Sequence, residues 1–110
     1  MLNSCVVVGK VLSKPEWREE ENGYQLLIEC YRPFSLEDGT MKKDVMTVIL
    51  WKGLGKQCGE MCGKSDIVAL KGRLESHPLR HNGEDLYLTK IIAEKLSFVV
   101  HDGKTNGVMY

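Results

Sequence analysis

Residues 44–51, DVMTVILW, carry two different chemistries on alternate positions. Successive side chains of a strand point to opposite faces, so Met46, Val48 and Leu50 form one apolar face while Lys43, Val45, Thr47, Ile49 and Trp51 share the other. Lys42, Lys43, Lys52 and Lys56 surround the stretch, and Asp44 is the one acid among them. A cationic strand face that ends in an aromatic ring suits single-stranded nucleic acid. A base can stack on the ring while lysines follow the phosphates, at roughly 1–3 kcal/mol per stacked base. A half-buried strand with an interfacial Trp has the same pattern, so the face needs support from elsewhere in the chain.

Lys71 and Arg73, outward in the alternation of residues 67–75, extend the cationic surface, and Lys64 precedes them. A solvated charged strand face is the alternative reading for that pair. Arg32 and Phe34 sit together at Arg32-Pro33-Phe34, where an exposed ring serves either stacking or a subunit contact. Tyr87 shares a face with Thr89 and either lines the groove or packs on the barrel. Trp17 lies among Glu16, Glu19, Glu20 and Glu21, which repel phosphate, so it is read as a packing or subunit-contact residue. His77, His81 and His101 have no ligand spacing, and Cys58 and Cys62 lack a second pair to complete a zinc site. No metal, no cofactor and no catalytic set is expected, and the protein is read as a binder rather than an enzyme.

Fifteen basic and fifteen acidic side chains give a formal net charge of zero. Charge is not evenly spread, however. Setting aside the four acids and one base of the run from Glu16 to Glu21 leaves three more cations than anions. At 110 residues and 43% hydrophobic content the chain has room for one core. The opening MLNSCVVVGKV is too short in its apolar run for a signal peptide, and no stretch reaches the length of a membrane span, so a cytoplasmic location with reduced thiols is expected.

Residues 2–12 read as a first strand, with Gly9 marking a bulge or bend. Asn22-Gly23 turns the chain into residues 24–31, where Tyr24, Leu26, Ile28 and Cys30 share a face, and a polar turn at residues 35–40 leads to the strand at 44–51. Residues 53–63 form a weak helix in which Leu54, Cys58, Met61 and Cys62 share a face. A fourth strand at 67–75, with Val68, Leu70 and Leu74 inward, a polar loop at 77–85 and a fifth strand at 86–100 complete the order. Five strands with a helix between the third and fourth match the all-β Greek-key barrel of the OB-fold, which binds oligonucleotides or oligosaccharides. Residues 1–100 are the expected domain and residues 101–110 a short flexible tail. The first strand, apolar on both faces, points to self-association, with Val7 expected on the shared face.

The register of these pieces resembles the bacterial single-stranded DNA-binding proteins. Val8-Gly9-Lys10-Val11, Lys14-Pro15-Glu16-Trp17-Arg18, Arg32-Pro33-Phe34, DVMTVILWK, KSDIVALKGRLESH and NGEDLYLTKIIAEKLSFV stand in that family's order and spacing over residues 1 to 100. The resemblance implies a homotetramer, or a dimer, of OB-folds that binds single-stranded DNA with little sequence preference. It puts Phe34 and Trp51 at two aromatic positions of the family, whereas Val45 and Leu79 stand where an aromatic is common. Lys43, Lys52, Lys64, Lys71 and Arg73 supply the cations. Binding more electrostatic than is usual in the family is therefore expected. The chain closes on HDGKTNGVMY without an acidic tip, so it resembles a short form that does not recruit replication enzymes. An OB-fold interaction factor similar to the primosomal replication protein N, with weak DNA binding, is the alternative; an oligosaccharide binder leaves the lysines without a role.

Overall fold

The period-2 alternation and two-residue turns of the sequence become strands and tight hairpins in the computed structural model, which describes residues 1–100 and 108–109. In chain order the elements are β1 (Cys5–Val11), β2 (Glu16–Arg18), a 3₁₀ turn (Glu19–Glu21), β3 (Gly23–Ser35), β4 (Met41–Leu50), α1 (Lys52–Met61), β5 (Ile67–His81), β6 (Glu84–Val100) and β7 (Val108–Met109). Strands β1, β5, β6, β4 and β3 lie side by side, and β1 closes the barrel onto β3 through Lys10 opposite Glu29 and Val11 opposite Ile28. The β4–β6 pair is parallel and its neighbours are antiparallel, as in a five-stranded OB-fold barrel. Of the expected tail, Val108–Met109 pairs with β6, and the rest lies outside the described residues.

Val11, Leu26, Ile28, Val48, Leu50, Val68 and Leu96 are fully or almost fully buried inside the barrel, and Leu54, Cys58 and Cys62 of the α1 region close one end. The thiol of Cys62, hydrogen-bonded to Cys58 and buried, is pushed far above its ordinary range. Among the described residues no three His, Cys, Asp or Glu side chains converge as a metal site, and no helix is long and apolar enough to cross a membrane.

Several expectations are corrected. The first strand starts at Cys5, and Val7 packs against the core, while Val6 and Val8 point outward. Gly9 sits in no bulge: the β1–β5 register runs unbroken, and a Cβ there would lie 2.9 Å from the Glu29 carbonyl oxygen, so the glycine serves close approach to β3. β3 runs on past residue 31 to Ser35, but its pairing with β4 lapses after Tyr31 and resumes at Ser35 opposite Met41, so residues 32–34 interrupt the ladder without ending the strand. Met61 overhangs the end of α1 and is exposed.

The largest correction is the supposed loop at residues 77–85, which is a ribbon of β5 and β6 paired as far as His81 opposite Glu84. Asn82 (φ 49°) and Gly83 (φ 78°) form its two-residue turn, whose positive φ values match the twist of the flanking strands. Pro78 is tolerated because beyond the barrel β5 has β6 as its one neighbour. Leu74 keeps to the barrel-interior side of the ribbon, but the barrel has already opened there, and the side chain is exposed.

Gly72 lies at the bulge where the ribbon begins to leave the barrel, and an added Cβ would meet the Ile92 carbonyl oxygen at 2.1 Å. Gly72→Ala is expected to lower stability by about 1–3 kcal/mol. Gly59, in the last turn of α1 with nothing within 4 Å of an added Cβ, should behave oppositely, Gly59→Ala gaining about 0.5–1 kcal/mol. Urea midpoints moving in opposite directions for the two variants check this.

Candidate nucleic-acid interface

The outward face of the β3–β4 hairpin is set by register. Tyr31 lies opposite Lys43, Glu29 opposite Val45, Leu27 opposite Thr47, and Gln25 opposite Ile49. Tyr31, Val45 and Trp51 are each about half exposed, at 52%, 57% and 50%, whereas Ile49 is buried. The Lys43 Nζ lies 5.3 Å from the Tyr31 ring centroid and 3.6 Å from Glu29 Oε1. Two aromatic rings therefore bracket the row that sequence alone ended with one. The alternation of residues 24–31 marks the apolar face of Tyr24, Leu26, Ile28 and Cys30, and Tyr31 falls on the other, where no pattern singles it out.

Trp51 precedes α1, and a Cβ at Gly53 would come within 2.0 Å of its ring, so the indole lies flush on the start of the helix. It also lines a depression of about 310 Å³ with Ile49, Ile92, Arg73, Glu75, His77, Glu20, Glu21, Asn22 and Gly23. The acidic turn that sequence assigns to the surroundings of Trp17 thus reaches Trp51 as well. Glu21 is almost buried; it pairs with Lys90 and lies 3.5 Å from His77 Nδ1, while His77 Nε2 is 3.2 Å from Glu75, whose other oxygen accepts from Arg73 at 2.8 Å. Trp17 instead donates its indole N–H to Glu19 at 2.9 Å and meets Tyr24 edge-on, centroids 5.3 Å apart.

The remaining expected residues divide. Arg32 is held by Asp44 through two hydrogen bonds of 2.9 and 3.0 Å, which keep the Asp44 carboxyl below its ordinary range and spend the guanidinium within the hairpin. Phe34 is exposed near the hairpin tip. Lys71 faces Lys95 and Val6 on the outside of the β1–β5–β6 sheet. Lys64 lies in the turn after α1, in a depression with Lys14, Glu60 and Asp66, a helix length of about 15 Å from the Trp51 end. Leu79 pairs with Leu86, and Tyr87 with Pro78, so Leu79 and Tyr87 occupy opposite faces of the ribbon. Lys52, Lys64 and Lys71 make no ion pair among the described residues, whereas Lys43 and Arg73 do. Tyr31, Lys43, Val45, Thr47, Trp51 and Arg73 come together around the β4 face and its adjoining depression; Lys64 and Tyr87 stand apart from it.

Residues 2–99 match the model of the single-strand binding protein family. A single-stranded DNA-binding protein of Oceanobacillus iheyensis is 26% identical over 111 residues, covering 97% of this chain and 69% of its own. Single-stranded DNA-binding protein 3 of Listeria innocua is 26% identical, with 97% and 68% covered, and the Halalkalibacterium halodurans protein is 26% identical over 103 residues, with 90% and 61% covered. The chain thus spans about two thirds of the length of these relatives. In solved structures the same fold occurs in a Plasmodium falciparum SSB complex with ssDNA, at TM-score 0.72 and 16% identity over 90% of this chain and 96% of that one. It occurs also in a deletion variant of the Thermus aquaticus single-stranded DNA binding protein, at TM-score 0.69 and 21% identity, covering 94% of this chain and 53% of that one.

Proposed function

The chain belongs to the single-strand binding protein family, and on that premise we propose that it is a non-enzymatic binder of single-stranded DNA with little sequence preference, serving replication, recombination or repair. The observation that carries the reading is the outward β3–β4 face, where Tyr31 and Trp51 are half exposed with Val45 and Thr47 between them. Bases stack on the two rings and pack on the shorter side chains, while Lys43, Lys52 and Arg73 attract the backbone and Lys71, opposite Val6 on the β1–β5–β6 sheet, adds to the general field. Arg32, Phe34, Leu79 and Tyr87 serve the outer reaches of the path on the two hairpins, and Lys64 contributes only to the general field. Residues 1–100 are the binding domain. Self-association, as a homotetramer or at least a dimer, is proposed from Val6 and Val8, which are 72% and 54% exposed on β1.

A mobility shift on oligothymidylate against duplex of equal length tests the reading. Affinity for the single strand should fall with a log–log salt slope of about −2 or steeper, as expected when three or more phosphates are neutralised. Val45→Phe, adding a third ring between Tyr31 and Trp51, should tighten binding by about 5-fold or more and leave that slope unchanged. Equal affinity for duplex, or binding indifferent to salt, would overturn the assignment. The zero net charge and the carboxylates beside Trp51 favour the second reading, an interaction factor with weak DNA binding; a shift seen only at very low salt would support it.

A further inference from the structure

The depression beside Trp51 is built unlike a neutral stacking platform. Its walls are the indole, Ile49 and Ile92, and its volume of about 310 Å³ exceeds that of one nucleobase. Around that apolar floor stand hydrogen-bonding groups of both kinds. Most are already occupied: Glu21 by Lys90 and His77, Glu75 by Arg73 and His77. Two are open to a ligand: the Glu20 carboxylate and the Asn22 side-chain amide, both on exposed residues, make no hydrogen bond or ion pair among the described residues. Asn22 is held at φ 50°, and its N–H donates to the Glu19 carbonyl, so the end of the 3₁₀ turn that carries both groups is fixed.

We propose that this depression is a nucleobase subsite that selects guanine over thymine, with Trp51 as the stacking wall and Glu20 and Asn22 reading the base edge. The inference rests on the single-strand-binding reading above and adds one selective position to an otherwise sequence-tolerant path. An ionised carboxylate only accepts hydrogen bonds. Guanine offers it two adjacent donors, N1–H and N2–H, and leaves O6 for the amide of Asn22. Cytosine and adenine offer one amino group each. Thymine places its single N3–H between two carbonyl oxygens, which would face the carboxylate and be repelled. The order of preference is therefore guanine, then cytosine and adenine, then thymine.

The test uses Trp17→Phe protein, in which Trp51 is the single emitting tryptophan, titrated with oligothymidylate and with the same oligomer carrying guanine at every third position. The guanine-bearing strand should bind about 5-fold more tightly or better, the low end of what a bidentate base contact supplies. Glu20→Gln should shrink that ratio towards one. Glu19→Gln removes the same charge from the same turn but lies outside the depression, so it should keep the ratio. A ratio of one in the parent, or a ratio lost equally in both variants, would overturn the subsite while leaving DNA binding intact. Absence of binding to either oligomer in a mobility shift would instead bring down the reading on which it stands.

Discussion

Trp51→Ala is expected to bind a mixed-sequence single strand about 5- to 150-fold more weakly than the parent, the equivalent of roughly 1–3 kcal/mol for one lost base stack, while keeping its fold. The expectation rests on exposure: the indole is half exposed on the groove face and contributes nothing to the barrel interior. Emission should follow the same division. Trp17 is tied to Glu19 and Tyr24, so Trp17→Phe should retain nearly the whole DNA-induced quench and Trp51→Phe should lose most of it. Gly53→Ala offers a second route to the same site, because a Cβ there would occupy the space of the ring and must push it off the helix start. That variant should bind more weakly although no group that touches DNA has been removed. Parent-like affinity in folded Trp51→Ala would show that the DNA path does not run along β4.

The β4 face was legible because its two faces differ in composition at a period of two, and that period survives whatever the strand packs against. The fold was legible for a related reason: turn residues at Asn22-Gly23 and Asn82-Gly83 punctuate apolar runs, and their spacing leaves few topologies. What failed were readings that depend on where the barrel ends. His77 and Pro78 look like loop chemistry, yet a two-stranded ribbon can run on past the barrel, with Pro78 spending no ladder bond that a further strand would need. Leu74 follows the inward alternation correctly and is exposed all the same, since no opposite wall remains at that height. The electrostatic contrast between the two tryptophans failed for a different reason. It assumed that charges act on their sequence neighbours, whereas the 3₁₀ turn brings Glu20 and Glu21 to the same depression as Trp51 and leaves Glu19 to Trp17. Pairing across strands, which fixes Tyr31 beside Lys43 and parts Leu79 from Tyr87, needs the register that turn geometry sets.

Val6→Asp is expected to convert the assembled protein to monomers at micromolar concentration without unfolding it. On β1, Val6 and Val8 point away from the barrel while Cys5 and Val7 pack towards it. The strand is bonded to β5 from Cys5 to Lys10, but to β3 only at Lys10 and Val11, so the edge of residues 5–9 has room to pair with another chain. An isologous interface presents each substituted residue twice. If burying each carboxylate costs about 2 kcal/mol beyond what the facing Lys71 and Lys95 return, the pair costs about 4, which weakens association roughly a thousandfold. Val7→Asp places the same charge one residue along, against the core, and should lower the unfolding midpoint instead. Light scattering and urea titration together separate the two: Val6→Asp loses mass and keeps its midpoint, Val7→Asp loses its midpoint. A parent protein that scatters as a monomer, or a Val6→Asp variant of unchanged mass, would remove β1 from any subunit contact and leave its outward valines facing water.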